Sequence, residues 1–598
     1  MCGIFGYAGP AERGRNKNAA EIVLNGLKAL EYRGYDSWGI ALAAGQNSKI
    51  VVEKKVGKIG NSVLNSEFSI LNSNFAIGHT RWATHGGVTA ANAHPHLDCS
   101  GSIAVVHNGI VENWQPLKTK LKKLGHRFKS ETDTEVIAHL IEEELGGELA
   151  LLEAVIKAFK KLAGLNAIVV LSRGGQIAAV KSGSPLSLGF GDGKFFISSD
   201  VVGMLPYTKE IIFLEDGEAA LLSQTGIEFF DLKSRKKLKK KPDKLEWSVE
   251  SAELGDYPHF MLKEIYEQPK VILNIARNYE GLVKKLATTI KKSYGTYIIG
   301  CGTAAHAALA GSYLFSRVAR RHVNFAVGSE FSYLTHFLTP KSLVIALSQS
   351  GETIDIIDSC HAAKNKGAKI AALVNNLGST LFRLADYKIL LGAGPEKSVC
   401  ATKSYTAKAA ILLLLAYATT GRLAEGVKLI VKAAEAAEKI LRKKYVSEIA
   451  ALAKRISKYD HIYVIGRGLN YSTALEAALK IKEVSYIHAE GFAAGELKHG
   501  VIALIEKGTP VLVFASMDET HEAIISGASE IAARGGFIIG VSPKNNSVFD
   551  VWLPVRDVGD ASPIVNVVVA QLLAYFLALE KGYNPDYPRN LAKSVTVR

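Results

Sequence analysis

The second residue of this sequence, Cys2, combines the two groups that a self-activating nucleophile requires. If Met1 is removed, which the small side chain of Cys2 permits, this residue carries both a thiol and a free α-amino group. An α-amino group has a pKa of roughly 7.7–8.0, so it can accept the thiol proton through a bridging water near neutral pH. We therefore predict that Cys2 is a catalytic nucleophile, provided that the rest of the chain supplies a site for its substrate.

Two small-residue loops in the second half of the chain follow strand-like segments, at residues 300–303 and 348–353. Ligands of parallel sheets bind beyond the carboxyl ends of the strands, where glycines and helix N-termini favour anions. The hydroxyls of residues 348–353 fit a phosphate, although a helix cap without a ligand accounts for them equally well. The corresponding loop of the second repeat, residues 516–520, contains carboxylates that repel phosphate. The first repeat is therefore predicted to hold the anion.

A third set of chemically active residues is spaced along one predicted helix. Glu476, Lys480 and Glu483 are four and three residues apart, which places them on one helix face. Such a set is most often a surface ladder of ion pairs. Residues 494–500 and 590–595 add further titratable groups in small, apolar surroundings, so a functional role for this face stays open.

Length and charge restrict what these residues could serve. A chain of 598 residues is expected to form about three or four domains. The net charge of +15 includes a basic run at residues 233–241 that contains no aromatic side chain to stack on bases. We interpret this run as a solvated linker, expect no nucleic-acid partner, and assign the positive charge to an anionic substrate.

The apolar and cysteine patterns predict a cytoplasmic protein. The longest apolar run, residues 409–418, is shorter than the roughly 18 residues of a membrane span and predicts a buried helix. The N-terminus lacks the basic and apolar regions of a signal peptide. The five cysteines are widely spaced and include no Cys-x-x-Cys pair. We therefore expect reduced thiols, no disulfide framework and no zinc motif.

Residues 2–231 are predicted to form a layered α+β domain, with antiparallel sheets covered by helices. Helical periodicity covers residues 19–32 and 133–144. Short strands are predicted at residues 39–44, 75–79, 103–107, 167–171, 176–180, 195–198 and 211–214. A basic linker and connecting segment, residues 232–282, follows.

The second half contains an internal repeat, which predicts two α/β domains with doubly wound parallel sheets. Residues 297–303 resemble residues 463–469, and 342–348 and 367–374 resemble 509–516 and 535–541. We assign the two domains to residues 283–430 and 445–585, and a C-terminal tail to residues 586–598.

Specific motifs over the whole length make the chain similar to a known enzyme family. They lie at residues 2–4, 30–37, 79–86, 92–96, 107–109, 130–135, 347–353, 494–500 and 588–597. The sequence resembles the isomerising glutamine–fructose-6-phosphate aminotransferases, also called glucosamine-6-phosphate synthases. The resemblance implies an N-terminal nucleophile amidohydrolase sandwich followed by two sugar isomerase domains. It also implies conversion of fructose 6-phosphate and glutamine to glucosamine 6-phosphate and glutamate.

The resemblance assigns roles in a glutaminase site. Cys2 would attack the side-chain amide of glutamine, and the Asn108 side chain and Gly109 backbone would form the oxyanion hole. Arg81 and Asp133 would bind the α-carboxylate and α-ammonium of the substrate. The remaining implied residues are Thr84 and His85, which line the pocket, and Trp82, which gates an internal ammonia passage.

The resemblance also assigns a sugar site without metal or cofactor. Lys593 would form a Schiff base at C2, Glu483 would move the proton between C1 and C2, and His499 would open the ring from a partner subunit of a homodimer. Glu476 and Lys480 would support these groups. The sugar-phosphate contacts implied are Thr303, Ser348, Gln349, Ser350, Thr353 and Val399.

Two positions depart from the family pattern. Ala304 and Ala401 stand where the family usually has serine, so two hydroxyl contacts near the predicted sugar site are missing. These departures favour one alternative, an amidotransferase that acts on another ketose phosphate. A second alternative is a sugar-phosphate sensor that binds without turnover, against which the presence of Glu483, His499 and Lys593 argues.

Overall fold

The computed structural model of the protein describes residues 2–10, 18–43, 49–66, 68, 71, 73–147, 149–245, 247 and 249–596. The chain forms two compact units, Met1–Glu253 together with Ala592–Arg598, and Leu254–Leu591. The predicted removal of Met1 concerns a residue outside the described part of the chain. The bounds of the five segments given above remain predictions.

The described part of the N-terminal unit forms two antiparallel sheets. Its strands are β1 (Gly3–Ala8), β2 (Ser37–Leu42), β3 (Val51–Val56), β4 (Phe75–Arg81), β5 (His96–Leu97), β6 (Ile103–Gly109), β7 (Asn166–Ser172), β8 (Gln176–Ser182), β9 (Ser187–Gly191), β10 (Lys194–Ser198), β11 (Glu210–Phe213), β12 (Glu218–Leu222), β13 (Ile227–Asp231), β14 (Lys237–Leu238) and β15 (Asp243–Lys244). Within the described residues, one sheet has the order β15-β11-β9-β10-β1-β4-β2-β3 and the other β14-β13-β12-β8-β7-β6-β5.

Alternation of side chains along the strands builds the layers of this unit. Along β6, Ala104 and Val106 face a core that both sheets share with Ile4 of β1. The intervening Ile103 and Val105 pack against helices on the outer face. Among the described residues, the helices of this unit are Ala19–Ala29, Trp114–Lys123, Glu135–Leu145, Leu151–Phe159 and Val249–Ala252, with 3-10 turns at Glu31–Arg33 and Val201–Gly203. The layered α+β prediction is confirmed.

The predicted elements of this unit differ from the observed ones mainly at their ends. The helix predicted at residues 19–32 ends at Ala29, and the one predicted at 133–144 spans Glu135–Leu145. The basic run is not a solvated linker throughout, because Lys237–Leu238 pairs with β13 as a strand. Asp243–Lys244 likewise pairs with β11. Cross-strand hydrogen bonds thus join part of the predicted linker to both sheets.

The second unit contains two parallel sheets of the same strand order. Their strands are β16 (Thr296–Gly300), β17 (Asn324–Val327), β18 (Leu343–Ser348), β19 (Lys369–Val374), β20 (Tyr387–Leu390), β21 (His461–Gly466), β22 (His488–Ala493), β23 (Pro510–Phe514), β24 (Phe537–Ser542) and β25 (Val551–Pro554). Among the described residues the sheets are ordered β17-β16-β18-β19-β20 and β22-β21-β23-β24-β25. In each sheet the second strand in the chain lies on one side of the first strand and the third lies on the other side. This change in strand order creates a ligand-binding crevice at the carboxyl end of the first strand, β16 or β21.

The helices of this unit cover both sheets. Most of them pack into one large core that the two sheets share, and the others pack into a smaller core on the opposite face of each sheet. They are Phe260–Asn278, Glu280–Lys292, Thr303–Arg317, Gly328–Phe331, Ile354–Asn365, Thr380–Leu384, Lys403–Thr419, Leu423–Ile440, Lys443–Ile456, Leu469–Ser485, His521–Ala532 and Ser562–Glu580. The 3-10 turns are Ser332–Leu334, Ala494–His499, Val501–Leu504 and Gly559–Ala561. The apolar run at residues 409–418 is a buried helical segment, as predicted.

One helical segment of the described residues, Gly559–Glu580, is long and apolar enough to cross a membrane by length and composition. Its most apolar window has a mean hydropathy of 1.9 and is 89% buried inside the protein. Such burial is typical of the core helix of a globular domain.

The backbone confirms the internal repeat. Gly302 precedes the first helix of one repeat with φ 53° and ψ −127°, and Gly468 precedes the matching helix with φ 57° and ψ −128°. Both glycines adopt a left-handed φ that other residues rarely take. The same turn therefore links the first strand and helix of each repeat.

Candidate functional site

The thiol of Cys2 lies at the start of β1, against the end of β4. The Trp82 backbone N–H donates to Cys2 Sγ at 3.2 Å, and Sγ lies 3.6 Å from the Trp82 carbonyl oxygen. Burial raises the pKa of the thiol above its ordinary value, while the Trp82 N–H and the positive charges of Arg81 and Arg33 oppose this effect. A nucleophile in this setting needs a base to take its proton.

Two residues of the motif at residues 30–37 hydrogen-bond to the backbone near the Cys2 thiol. Arg33 Nε donates to the Cys2 carbonyl oxygen at 3.3 Å and its guanidinium pairs with Asp200 at 2.8 Å. Asp36 Oδ2 accepts from the Ala83 N–H at 2.8 Å. One side of the motif therefore positions Cys2, and the other positions the chain that follows β4.

The Asn108 side chain lies at the end of β6, beside Cys2. Its Nδ2 donates to the Cys2 carbonyl oxygen at 3.0 Å, and its Oδ1 lies 3.1 Å from His79 Nε2. Nε2 also lies 3.0 Å from the His107 carbonyl oxygen, so this nitrogen must carry a proton. Burial lowers the pKa of His79 to about 3, which keeps the ring neutral. His79 thus turns the Asn108 amide with its N–H groups toward Cys2.

Two glycines in this site leave no space for a side chain. Gly109 has φ 137°, and a Cβ there would lie 2.2 Å from the Leu165 carbonyl oxygen. A Cβ at Gly3 would lie 2.5 Å from Thr80 Oγ1, which accepts from the Gly3 N–H at 3.0 Å. The close packing of these backbones explains why glycine occupies both positions.

The Arg81 side chain, only 3% exposed, holds the loop that follows β4. Its guanidinium donates to the carbonyl oxygens of His85, Gly86 and Gly87, the last at 3.1 Å. Burial lowers the pKa of Arg81, and nearby acidic groups, among them Asp36 and Asp133, oppose this effect. Arg81 directly precedes Trp82, which contacts Cys2 Sγ, and the assignment of Arg81 and Asp133 to a glutamine site stays a prediction.

The other predicted glutamine-site residues differ in exposure. Asp133 is 3% exposed and its Oδ2 accepts from the Val111 N–H at 2.7 Å. His85 is half-buried with its ring 6.3 Å from that of Trp114, whereas Thr84 is exposed. The Trp82 ring is half-buried, 6.1 Å from the ring of Tyr35.

In the second unit, the loop after β18 forms a compact hydroxyl-rich turn at the carboxyl edge of its sheet. Ser348 Oγ lies 3.0 Å from Thr353 Oγ1 and accepts from the Gly351 N–H at 3.0 Å. Ser350 Oγ accepts from the Glu352 N–H at 3.1 Å, and Gln349 is half-buried. Thr353 directly precedes helix Ile354–Asn365, whose N-terminus favours an anion.

The corresponding loop of the second repeat contains an internal carboxylate acceptor. Asp518 Oδ1 accepts from the backbone N–H of Thr520 at 2.9 Å and from its hydroxyl at 2.6 Å. Asp518 and Glu519 both pair with Arg317, at 3.7 Å and 2.6 Å. That the first repeat holds the anion stays a prediction.

Glu476 and Lys480 form a buried network and are not part of a surface ladder. Both side chains are 0% exposed, and Lys480 Nζ lies 3.5 Å from Glu476 Oε1 and in contact with Glu483 Oε2. Thr303 Oγ1, at the first crevice, donates to Glu476 at 3.0 Å and accepts from Lys480 at 3.0 Å. His306 Nδ1 lies 2.7 Å from Glu476 Oε2. The network joins the second repeat to the first.

The charges in this network support one another. Burial alone lowers the pKa of Lys480, but the carboxylates of Glu476 and Glu483 outweigh burial and raise the pKa above its ordinary value. Burial alone raises the pKa of Glu476, but Lys480 and His306 bring the net shift downward. Lys480 is therefore a cation near neutral pH and holds Glu483 in a fixed position.

The departures from the family pattern lie close to this network. Ala304 is the second residue of helix Thr303–Arg317 and is 7% exposed. Cys400, which precedes Ala401, donates its thiol hydrogen to Glu483 Oε2 at 3.2 Å. The adjacent Val399 is 9% exposed. Cys400 thus contributes a thiol contact to Glu483, which the sequence alone did not indicate.

The two remaining predicted residues are His499 and Lys593. His499 is exposed, at the end of the 3-10 turn Ala494–His499. Lys593 is half-buried in the tail segment that groups with the N-terminal unit. Their assignment to a sugar site stays a prediction.

Sequence reasoning did not single out several supporting residues. His79, Thr80 and Arg33 each contact Cys2, Gly3 or Asn108, yet only their place within long motifs marked them. His306 and Cys400 had no such signal. Their types indicate polar contacts, but only the fold brings them to Glu476 and Glu483.

Comparison with known proteins agrees with this arrangement. A glutamine amidotransferase domain model matches residues 65–209, and a SIS domain model matches residues 290–418 and 455–581. The C-terminal domain of glucosamine-fructose-6-phosphate aminotransferase from Francisella tularensis has a similar structure. It is 30% identical with a TM-score of 0.52, covering 55% of this chain and 99% of that one.

Two curated relatives match the whole chain. The glutamine–fructose-6-phosphate aminotransferases (isomerizing) of Pyrococcus horikoshii and Thermococcus kodakarensis are 44% and 43% identical to it. In both cases the match covers 100% of each chain. With both catalytic halves present in their expected order, this chain belongs to the isomerising glutamine–fructose-6-phosphate aminotransferase family.

Proposed function

We propose that this protein converts D-fructose 6-phosphate and L-glutamine to D-glucosamine 6-phosphate and L-glutamate. The full-length similarity to curated aminotransferases is the observation that carries the proposal. The contact of Cys2 with Asn108 and the buried network around Glu476 support it chemically. The cysteines of the described residues are not joined in disulfides, which is consistent with the cytoplasmic enzyme that we also propose.

In the glutaminase half-reaction, the Cys2 thiolate attacks the side-chain carbonyl carbon of glutamine. Its free α-amino group, exposed by loss of Met1, takes the thiol proton and later delivers it to the departing ammonia. The Asn108 Nδ2 and Gly109 N–H stabilise the oxyanion. Arg81 and Asp133 bind the two charged groups of the amino acid. Water then hydrolyses the thioester and releases glutamate.

In the isomerase half-reaction, Lys593 condenses with the C2 ketone of the opened sugar and releases water. Ammonia replaces the lysine at C2, and Glu483 removes a proton from C1 and returns one to C2. The loop with Ser348 and Thr353 binds the phosphate. The buried Lys480 holds the Glu483 carboxylate in place, as its contact indicates.

We also propose that ammonia travels inside the protein, since free ammonia in water would be protonated and lost. Trp82 is the proposed gate because its backbone contacts the Cys2 sulfur at 3.2 Å. Opening of this segment on formation of the thioester would couple the two half-reactions.

Two variants test whether glutamine hydrolysis and sugar amination depend on different residues. Cys2→Ala is expected to abolish glutamine hydrolysis and glutamine-dependent synthesis but to retain amination with added ammonium. Lys593→Ala is expected to abolish synthesis with either nitrogen source while retaining glutaminase activity. Both rates are measured as glutamate and glucosamine 6-phosphate formation. Normal synthesis by the Lys593 variant would remove this residue from the proposed mechanism.

We further propose a homodimer in which His499 acts on the sugar bound by the partner subunit. The exposure of His499 supports this proposal. Inactive variants His499→Ala and Glu483→Gln are mixed, unfolded and refolded together, and assayed. A shared site predicts recovered synthesis, because one site of each mixed dimer then has both native residues. No recovery in demonstrated mixed dimers would contradict the proposal.

A further inference from the structure

Four side chains with metal-binding atoms meet at one point in the N-terminal unit, away from the residues assigned to catalysis. They are Cys99, His126, His139 and Glu142, whose ligand atoms all lie within 4.8 Å of one another. Cys99 follows β5, His126 lies between helices Trp114–Lys123 and Glu135–Leu145, and the other two lie on the second of these helices. His139 is 1% exposed.

The sulfur–nitrogen distances are close to those between ligands of a single tetrahedral ion. Cys99 Sγ lies 3.7 Å from His126 Nδ1 and 3.6 Å from His139 Nδ1. Zinc bonds of about 2.3 Å to sulfur and about 2.0 Å to nitrogen, at tetrahedral angles, separate the two ligand atoms by about 3.5 Å. Glu142 Oε2 lies 2.8 Å and 3.1 Å from the same two nitrogens. A small outward movement of this carboxylate would complete the coordination sphere.

A carboxylate outside the cluster lies near Nε2 of each imidazole ring, and it is within hydrogen-bond distance for His126. His126 Nε2 lies 2.8 Å from Glu143 Oε1, and His139 Nε2 faces Glu135 Oε1 at 3.8 Å. Glu135 is itself fixed by the N–H groups of residues 129 and 130, each at 2.7 Å. A carboxylate that faces Nε2 favours a proton there and leaves Nδ1 to bind a metal. Both rings therefore present the binding nitrogen to the same point.

We propose that Cys99, His126, His139 and Glu142 bind one structural zinc ion. Thiolate, imidazole and carboxylate ligands together suit zinc, and four protein ligands leave no open position for catalysis. The thiol releases its proton to water on binding. The thiolate and carboxylate neutralise the double charge of the ion. The ion would tie helix Glu135–Leu145, which begins directly after Asp133 and Thr134, to the β5–β6 turn and the segment around His126.

The spacing of the ligands explains why the sequence did not predict this site. Cys99 and His126 are 27 positions apart, and only His139 and Glu142 have the short spacing of one helix face. The expectation of no zinc motif rested on the lack of a Cys-x-x-Cys pair. The proposed ion takes no part in the reaction, so the expectation of metal-free catalysis is unaffected.

The test measures zinc in the full-length protein, purified through a tag without histidine and dialysed against metal-free buffer. Elemental mass spectrometry is expected to find about one zinc ion per chain in the wild-type protein. The variants Cys99→Ser and His126→Gln are expected to lose this zinc. Glu143→Gln is expected to weaken zinc binding about 10- to 100-fold in competition with a chelator. His461→Gln is the matched control, because His461 Nδ1 lies 3.1 Å from His488 Nδ1 in an exposed pair.

A second measurement, exchange of zinc for Co²⁺ in the wild-type protein, tests the proposal even if a variant fails to fold. Wild-type protein loaded with Co²⁺ is expected to show a thiolate-to-cobalt charge-transfer band and the visible bands of tetrahedral Co²⁺. Absence of both, or zinc content equal in wild type and folded Cys99→Ser, would overturn the proposal. Either result would identify the cluster as hydrogen-bonded side chains only.

Discussion

At the scale of single residues, the glutaminase site depends on side chains that orient other side chains. In the proposed mechanism Asn108 offers an oxyanion donor because His79 Nε2 donates to its Oδ1, and burial keeps the His79 ring neutral. The sequence predicted Asn108 through resemblance. It could not predict the role of His79, because hydrogen-bond direction depends on the packing of β4 against β6.

Asn108→Ala tests this arrangement. The substitution removes one oxyanion donor while leaving Arg81 and Asp133 in place, so the expected effect is on kcat. Glutaminase kcat is expected to fall about 10²- to 10³-fold with a small change in KM for glutamine. Asn113→Ala is a matched control, because the Asn113 side chain hydrogen-bonds to residues 161 and 163, which follow helix Leu151–Phe159. A rise in KM alone would place Asn108 in substrate binding instead.

At the scale of secondary-structure elements, helix Leu469–Ser485 shows where sequence patterns were sufficient and where they were not. The spacing of Glu476, Lys480 and Glu483 correctly placed them on one face. Spacing alone favoured a solvated ladder, yet Glu476 and Lys480 are fully buried. The difference arises because helix Thr303–Arg317 covers this face and supplies Thr303 and His306 as partners. A contact between the two repeats depends on the tertiary fold, so residue spacing along one helix cannot predict it.

Lys480→Met is expected to destabilise the second unit. The change leaves the Glu476 and Glu483 carboxylates without their buried cation, and removal of one member of a buried ion pair costs about 3–5 kcal/mol. Chemical denaturation followed by circular dichroism measures the loss. The control is Lys284→Met, which removes an exposed pair with Glu280 and is expected to change stability little. Equal effects of the two variants would contradict the assignment of a buried network.

At the scale of the whole molecule, the sequence predicted the fold classes well, since alternation, apolar strands and the repeat report directly on layers and sheet type. Gly302 and Gly468 confirm the repeat through nearly identical backbone angles. The basic run was less predictable, because a strand as short as Lys237–Leu238 carries no pattern of its own. Contacts between distant segments, such as Cys99 with His126 and His139, also lay beyond sequence reasoning.

The central claim is that one chain releases ammonia from glutamine at Cys2 and uses it to aminate fructose 6-phosphate without releasing it to water. The most direct test incubates the purified protein with fructose 6-phosphate and glutamine labelled with ¹⁵N at the amide, in excess unlabelled ammonium. Mass spectrometry of the sugar product is expected to show glucosamine 6-phosphate that retains the label, formed in equal amount to glutamate. Unlabelled amino sugar, or glutamate without any glucosamine 6-phosphate, would contradict the account.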